Sequence, residues 1–64
     1  MSYKIQIAGA KILVIDDEPE ITEIVEAFLT EAGYKVQVEN NPQNSFEAAG
    51  SFKPDIILLD IMMP

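Results

Sequence analysis

The chain has no cysteine and no histidine among its 64 residues. Without cysteine, disulfides and thiolate metal sites are excluded, and a reducing, cytoplasmic location is favoured. Without histidine, the chain lacks imidazole for general-base catalysis and the usual ligands of zinc. Any metal site must therefore be built from oxygen ligands, which favour hard cations.

Positive charge is also scarce, because the chain has four lysines, no arginine and eleven acidic residues, for a net charge of −7. This balance argues against direct binding to nucleic acid or to an anionic membrane and suits a cation or a basic protein surface. No apolar run approaches the ~20 residues of a membrane span, and the first residues lack the apolar core of a signal peptide. The length allows one small domain, which is marginally stable without a metal or a partner chain.

Three segments have the composition of β-strands: Lys11–Ile15, Tyr34–Glu39 and Ile56–Leu59. The first and third are continuous apolar runs, which are typical of strands covered on both faces. The second alternates apolar and polar residues, as an edge strand does. Tyr3–Ile7 alternates in the same way and is a candidate for an extra N-terminal strand, within an extension that covers residues 1–10.

Two segments between these strands have features of helices. From Glu20 onward, apolar residues recur at helical spacing: Ile21, Ile24, Val25, Phe28 and Leu29. Pro19 suits the first turn, Asp17 or Glu18 is a candidate N-terminal cap, and Gly33 suits the position just after the helix.

The second helix is predicted over Gln43–Ala49, with Phe46 and Ala49 facing inward and Gly50 near its end. The whole pattern is β-α-β-α-β, an α/β fold. Because crossovers between parallel strands are right-handed, and because the second strand is of edge type, we predict the strand order 2-1-3. The third strand then lies at an edge although its composition is that of an interior strand.

Both interior-type strands end in acidic residues, Asp16-Asp17 after the first and Asp60 after the third. In a parallel sheet of this order these carboxylates meet at one edge, where such sheets bind ligands. Clustered carboxylates repel unless a cation neutralises them, and an oxygen-only set favours Mg²⁺. Taken singly, each of these aspartates is explained as well by a capping or turn role.

The segments Ile12–Pro19 and Lys53–Pro64, with the amphipathic helix between them, resemble the receiver domain of two-component response regulators (CheY-like domains). The resemblance covers residues 11–64 and implies a flavodoxin-like (βα)₅ fold, of which this chain is the first half. It also implies that a histidine kinase or phosphotransfer protein phosphorylates Asp60 in the cytoplasm. By the same resemblance, Asp16 and Asp17 hold Mg²⁺ together with Asp60 and the backbone carbonyl of Met62, and Pro64 shapes the loop after the phosphoacceptor.

Receiver domains complete this site with a serine or threonine after the fourth strand and a lysine after the fifth, and neither region is within the 64 residues. The first hypothesis is therefore a truncated phosphoacceptor domain, which is not an enzyme and in which Asp60 is the phosphoacceptor and the candidate catalytic residue. The alternative is a non-catalytic interaction module that forms homodimers, or binds a complementary fragment, through its exposed sheet edge. A phosphatase of the haloacid dehalogenase type ranks lower, because Met62 stands where that family has a second aspartate.

Overall fold

Three parallel strands form one sheet in the order β2-β1-β3 in the computed structural model, which describes residues 9–59. Along the chain the elements are β1 (Lys11–Ile15), α1 (Pro19–Glu31), β2 (Lys35–Glu39), a 3₁₀ turn (Pro42–Asn44), α2 (Ser45–Phe52) and β3 (Ile56–Leu59). The predicted α/β class and the strand order 2-1-3 are confirmed. The candidate strand Tyr3–Ile7 lies outside the described residues.

The register of the sheet aligns the carboxyl ends of all three strands. Ile15, the last residue of β1, pairs with Glu39 at the end of β2 and with Leu59 at the end of β3. The β1–β2 pairing continues one residue further, since the Asp16 N–H donates to the Glu39 carbonyl at 3.1 Å. Residues that follow the strands therefore start from one edge of the sheet, which is the edge that binds ligands in parallel α/β folds.

The core is centred on β1, whose residues from Ile12 to Ile15 are all buried. Leu13, with no exposed surface, clusters with Ile15 and with Ala48 of α2, and Phe52 packs against the same cluster. Because side chains alternate along a strand, Ile12 and Val14 point to the opposite face of the sheet. The interior composition predicted for β1 is therefore confirmed.

Helix α1 begins and ends where the sequence indicates, but the predicted side-chain cap is wrong. Pro19 occupies its first turn, and Gly33 has a φ of 103°, a conformation that suits glycine just after a helix. Glu18 is the N-cap residue by its backbone, yet its side chain makes no capping hydrogen bond. Pro19 has no N–H, and the Ile21 and Thr22 N–H groups donate to the backbone carbonyl of Glu18, so these amides do not need a side-chain cap. The carboxylate of Asp16 accepts the Glu18 N–H, and the side chains of Asp17 and Glu18 are exposed.

The apolar stripe of α1 is only partly covered by the described residues. Ile21, Val25 and Leu29 are half-buried, whereas Ile24 is 69% and Phe28 73% exposed. A three-stranded sheet covers one side of the stripe and leaves the other side in solvent.

Helix α2 differs from its prediction in its bounds and at Phe46, whereas Ala49 packs against the core cluster as predicted. A 3₁₀ turn precedes it, the helix continues past Gly50 to Phe52, and Lys53 ends it with a left-handed φ of 53°. Phe46, predicted to face inward, is 91% exposed, and Ala48 is buried in its place. The small side chain of Ala48 lets the helix backbone approach β1 closely, while Phe46 lies on the far side of the helix.

Strand β3 lies at a sheet edge, and its four residues are between 38% and 62% exposed. Its beginning is nevertheless anchored to β1 by two hydrogen bonds between Lys11 and Asp55, one to a side chain and one between backbone groups. The Lys11 N–H donates to Oδ2 of Asp55 at 2.8 Å, and the Asp55 N–H donates to the Lys11 carbonyl at 2.7 Å. Within residues 9–59 no helix has the length and apolar character needed to cross a membrane.

Truncation of Leu13 tests the position of the core. Leu13→Ala should lower the free energy of unfolding by about 2–5 kcal/mol, because it leaves a cavity in the most buried part of the sheet. The matched control Ile24→Ala removes an apolar side chain that is mostly in solvent, so its effect should stay within about 0.5 kcal/mol. Urea denaturation followed by circular dichroism measures both, and equal losses would contradict this description of the core.

Candidate functional site

The carboxylates of Asp16, Asp17 and Glu18, here called the acidic turn, form one cluster at the carboxyl edge of the sheet. One carboxylate oxygen from each residue lies within 4.8 Å of the others. Asp16 is buried, while Asp17 and Glu18 are exposed. The structure thus brings together the predicted pair Asp16 and Asp17 and adds Glu18, which the sequence suggested only as a helix cap.

Asp16 is held in place on both its backbone and its side chain. Its N–H donates to the Glu39 carbonyl, as described above, and its Oδ1 accepts the Glu18 N–H at 2.9 Å. The hydrogen bond from the Glu18 N–H to the Asp16 side chain closes the turn between β1 and α1. Aspartate side chains often accept such a bond from the backbone two residues further on.

Two residues that the sequence analysis did not single out, Thr22 and Asn40, also hold this turn. The Nδ2 of Asn40 donates to the backbone carbonyl of Asp16 at 2.9 Å and to the hydroxyl of Thr22 at 3.0 Å. Thr22 is only 1% exposed, and its hydroxyl donates to the Pro19 carbonyl at 3.0 Å. Asn40 directly follows β2, as Asp16 follows β1, so its position at a strand end is the signal that points to it.

The donor set of the acidic turn fits a hard divalent cation. All three side chains offer carboxylate oxygens, and the chain has neither a cysteine thiolate nor a histidine imidazole. Mg²⁺ is bound in proteins through one or two carboxylates while it keeps several waters. The buried Asp16 and the exposed Asp17 are suited to such a site, because one is fixed and the other faces the solvent from which water ligands come.

The other predicted site residues, Asp60, Met62 and Pro64, lie outside the described residues. The structure does describe how the chain reaches them, since β3 ends at Leu59 directly opposite Ile15. Asp60 and Asp16 are therefore the residues that follow two paired strand ends.

A shallow surface cavity of about 240 Å³ is lined by Phe28, Glu31 and Ala32 near the end of α1. It lies at the opposite end of α1 from the acidic turn and offers a single carboxylate as a polar group. It therefore has no part in the candidate site.

Comparison with known families gives an independent result. A family model described as the response regulator receiver domain matches residues 12–64. The match begins inside β1 and includes the acidic turn, all three strands and the residues after β3.

Individual relatives agree with this match. The chain is 39% identical over 54 residues to the alkaline phosphatase synthesis transcriptional regulatory protein PhoP of Bacillus subtilis, covering 84% of this chain and 22% of that protein. It is 41% identical over 56 residues to the phosphate regulon transcriptional regulatory protein PhoB of Pseudomonas aeruginosa, covering 88% of this chain and 24% of that protein. It is also 41% identical over 54 residues to the DNA-binding dual master transcriptional regulator RpaA of Synechocystis, covering 84% of this chain and 22% of that protein. The chain thus spans less than a quarter of the length of these relatives.

Substitution of Asp17 tests for charge repulsion within the acidic turn. In metal-free buffer of low ionic strength, Asp17→Asn should raise the urea midpoint, because it removes one of three mutually repelling charges. This gain should shrink in about 1 M salt, where the Debye length is only about 3 Å. Adding Mg²⁺ should stabilise the parent chain more than Asp17→Asn, since a ligand that binds the folded state more tightly stabilises it more, with the logarithm of its affinity.

Glu26→Gln, which removes one charge from the middle of α1, is the matched control. Mg²⁺ should raise its urea midpoint by the same amount as that of the parent chain. An Asp17→Asn variant that is less stable than the parent without metal at low salt would contradict the clustering of the three charges. An equal response of both chains to Mg²⁺ would remove Asp17 from the metal site.

Proposed function

Because the chain belongs to the response regulator receiver domain family, we propose that it is a phosphoacceptor of two-component signalling, phosphorylated on Asp60. In this proposal Asp16 and Asp17 hold Mg²⁺, and the backbone carbonyl of Met62 completes the protein ligands together with Asp60. The observation that carries the proposal is the pairing of Ile15 with Leu59, after which the chain continues to Asp16 and Asp60 respectively.

The proposed reaction is the transfer of one phosphoryl group to a carboxylate. An oxygen of Asp60 attacks the phosphorus of a phosphohistidine or of a small acyl phosphate, so that a new O–P bond forms. The bond from phosphorus to the donor's nitrogen or oxygen breaks, and the imidazole or carboxylate that leaves keeps the electron pair. When bound, Mg²⁺ supplies positive charge to the phosphoryl oxygens.

The chain's own residues have separate roles in this scheme. Asp16 is fixed by the hydrogen bonds of the turn and presents a carboxylate from a buried position, whereas Asp17 contributes a second charge from the solvent side. Pro64 shapes the loop after the phosphoacceptor. Since Asp60 is itself modified and turns over no substrate, the chain acts as a signalling domain and not as an enzyme.

The proposed partners follow from the family and from charge. Receiver domains of response regulators take their phosphoryl group from histidine kinases or phosphotransfer proteins, and we propose the same class of donor here. The net charge of −7 suits a basic protein surface and disfavours direct contact with nucleic acid. A cytoplasmic location stays a prediction from the sequence.

Phosphorylation of Asp60 is tested by intact-mass measurement after incubation with acetyl phosphate and Mg²⁺. The parent chain should gain the mass of one phosphoryl group, and the gain should disappear in Asp60→Asn and on removal of Mg²⁺ with EDTA. Asp55→Asn is the matched control, because it changes an aspartate at the other end of β3 and keeps an oxygen that can accept the Lys11 N–H. A folded parent chain that gains no mass, or a gain that persists in Asp60→Asn, would contradict the proposal.

The exposure of β3 favours a second candidate function, a non-catalytic interaction module. Apolar side chains on an edge strand promote pairing with another chain, and each residue of Ile56–Leu59 is exposed. Beside β3 the described part of the chain has no further strand. In this alternative the edge forms a homodimer or binds a complementary fragment.

Light scattering over a range of protein concentrations tests this second function. If β3 is a pairing edge, the average mass should rise with concentration, and Leu59→Lys should restore a monomer because a charged edge residue opposes strand pairing. Phe46→Lys, at a highly exposed apolar position of α2, should leave the association unchanged. A concentration-independent monomeric mass for the parent chain would rule out self-association through β3.

A further inference from the structure

Asn40 uses its entire donor capacity to join β2 to the acidic turn. A side-chain amide has two N–H hydrogens, and here one is directed to the backbone carbonyl of Asp16 at 2.9 Å and the other to the hydroxyl of Thr22 at 3.0 Å. The carbonyl of Asp16 is only an acceptor, so the group that faces it must be the NH₂ end of the amide. The orientation of Asn40 follows from its partners.

Thr22 extends this connection into the first turns of α1. Its hydroxyl accepts a hydrogen bond from Asn40 and donates its own proton to the Pro19 carbonyl at 3.0 Å. The residue is 1% exposed, and a buried hydroxyl without partners is costly. One chain of hydrogen bonds therefore ties the end of β2 to the end of β1 and the start of α1.

The consequence for Asp16 is that three of its polar groups are held by different parts of the fold. Glu39 fixes its N–H, Asn40 fixes its carbonyl, and the Glu18 N–H fixes its Oδ1. Within residues 9–59 these contacts leave Oδ2 as the oxygen of Asp16 without a described hydrogen bond. Within the described part of the chain, the Asp16 side chain is thus held in one orientation by its Oδ1.

We propose that Asn40 is a positioning residue for the acidic turn: through the Asp16 carbonyl and the Thr22 hydroxyl, it sets the geometry in which Asp16 receives a divalent cation. This inference rests on the proposed function for the identity of the cation. Residues behind the direct ligands of a metal typically affect its affinity about 10–100-fold. Asn40 has that kind of role without touching the cation itself.

The chemistry of the amide suits the task. Without a cation, the three carboxylates of the acidic turn repel and favour a more open turn. Asn40 opposes this opening with two hydrogen bonds and adds no positive charge that would compete with the cation. An aspartate at position 40 could not donate to the Asp16 carbonyl, and it would place a fourth negative charge beside the turn.

The test compares Asn40→Ala and Asn40→Asp with Asn41→Ala in the full chain. Asn41 is the matched control, because its Oδ1 accepts the Gln43 N–H at 3.0 Å and it is an exposed neighbour with its own backbone hydrogen bond. Three quantities are measured: the Kd of Mg²⁺ by calorimetry, hydrogen exchange of the Glu18 amide in metal-free protein, and the urea midpoint.

We expect Asn40→Ala to raise the Kd by about 10-fold and to accelerate exchange of the Glu18 amide, whose acceptor is Oδ1 of Asp16. Asn41→Ala should match the parent chain in both measurements. Asn40→Asp should accelerate Glu18 exchange as Asn40→Ala does, since it also lacks the donor.

If Asn40→Ala does not fold, Thr22→Val takes its place, because it removes one acceptor of the Asn40 amide at nearly constant volume. It should raise the Kd and accelerate exchange of the Glu18 amide. Thr22→Ser keeps the hydroxyl and should give the values of the parent chain.

A purely structural role for Asn40 would lower the urea midpoint but leave the Kd and the Glu18 exchange of the folded protein at the level of Asn41→Ala, and that result would overturn the inference. Failure of the proposed function looks different. If the parent chain and Asn41→Ala both fail to bind Mg²⁺, the metal site is refuted, and unaltered Glu18 exchange in Asn40→Ala would refute the role of Asn40 as well.

Discussion

The parallel pairing of β1 with a strand on each side is the constraint on which the rest of the structure depends. Ile15 is aligned with Glu39 and with Leu59 at the same time, so three connections leave the sheet from one edge. Because side chains alternate along a strand, a shift of one residue in either register would turn the buried side chains outward and separate the strand ends. The buried residues of β1 therefore stabilise the fold and align the site in the same step.

Polar contacts at the two ends of the sheet maintain this alignment. At the amino end, Lys11 and Asp55 exchange two hydrogen bonds that join the start of β1 to the start of β3. At the carboxyl end, Asn40 and Thr22 connect β2 to the turn that carries Asp16. Each hydrogen bond contributes only about 0.5–1.5 kcal/mol to stability. Their larger effect is geometric, because they fix where charged groups lie relative to one another.

The sequence predicts the backbone of this fold well, because strand and helix periodicity reflect burial in a parallel sheet. The bounds of β1 and β3, the end of α1 at Gly33 and the strand order are all confirmed. For α2, the inward position of Ala49 is confirmed, whereas that of Phe46 is wrong, because Ala48 is buried and Phe46 lies on the other side of the helix. The predicted side-chain cap of α1 is wrong because the backbone carbonyl of Glu18 accepts the Ile21 and Thr22 N–H groups instead. Asn40 was missed because a single polar residue after an edge strand looks like any turn former. The assignment of Asp60 remains a prediction, since the residue lies outside the described part of the chain.

The central claim is that the acidic turn and the residues after β3 form one cation site at the carboxyl edge of the sheet. Mn²⁺ binds the same oxygen ligands as Mg²⁺ and broadens the NMR signals of nearby nuclei, so a titration with Mn²⁺ tests this claim most directly. We expect the amide signals of Asp16, Asp17, Glu18 and Asp60 to broaden first, and we expect Asp16→Asn to abolish the effect. Broadening that instead begins at the exposed glutamates of α1, with Asp60 unaffected, would contradict it.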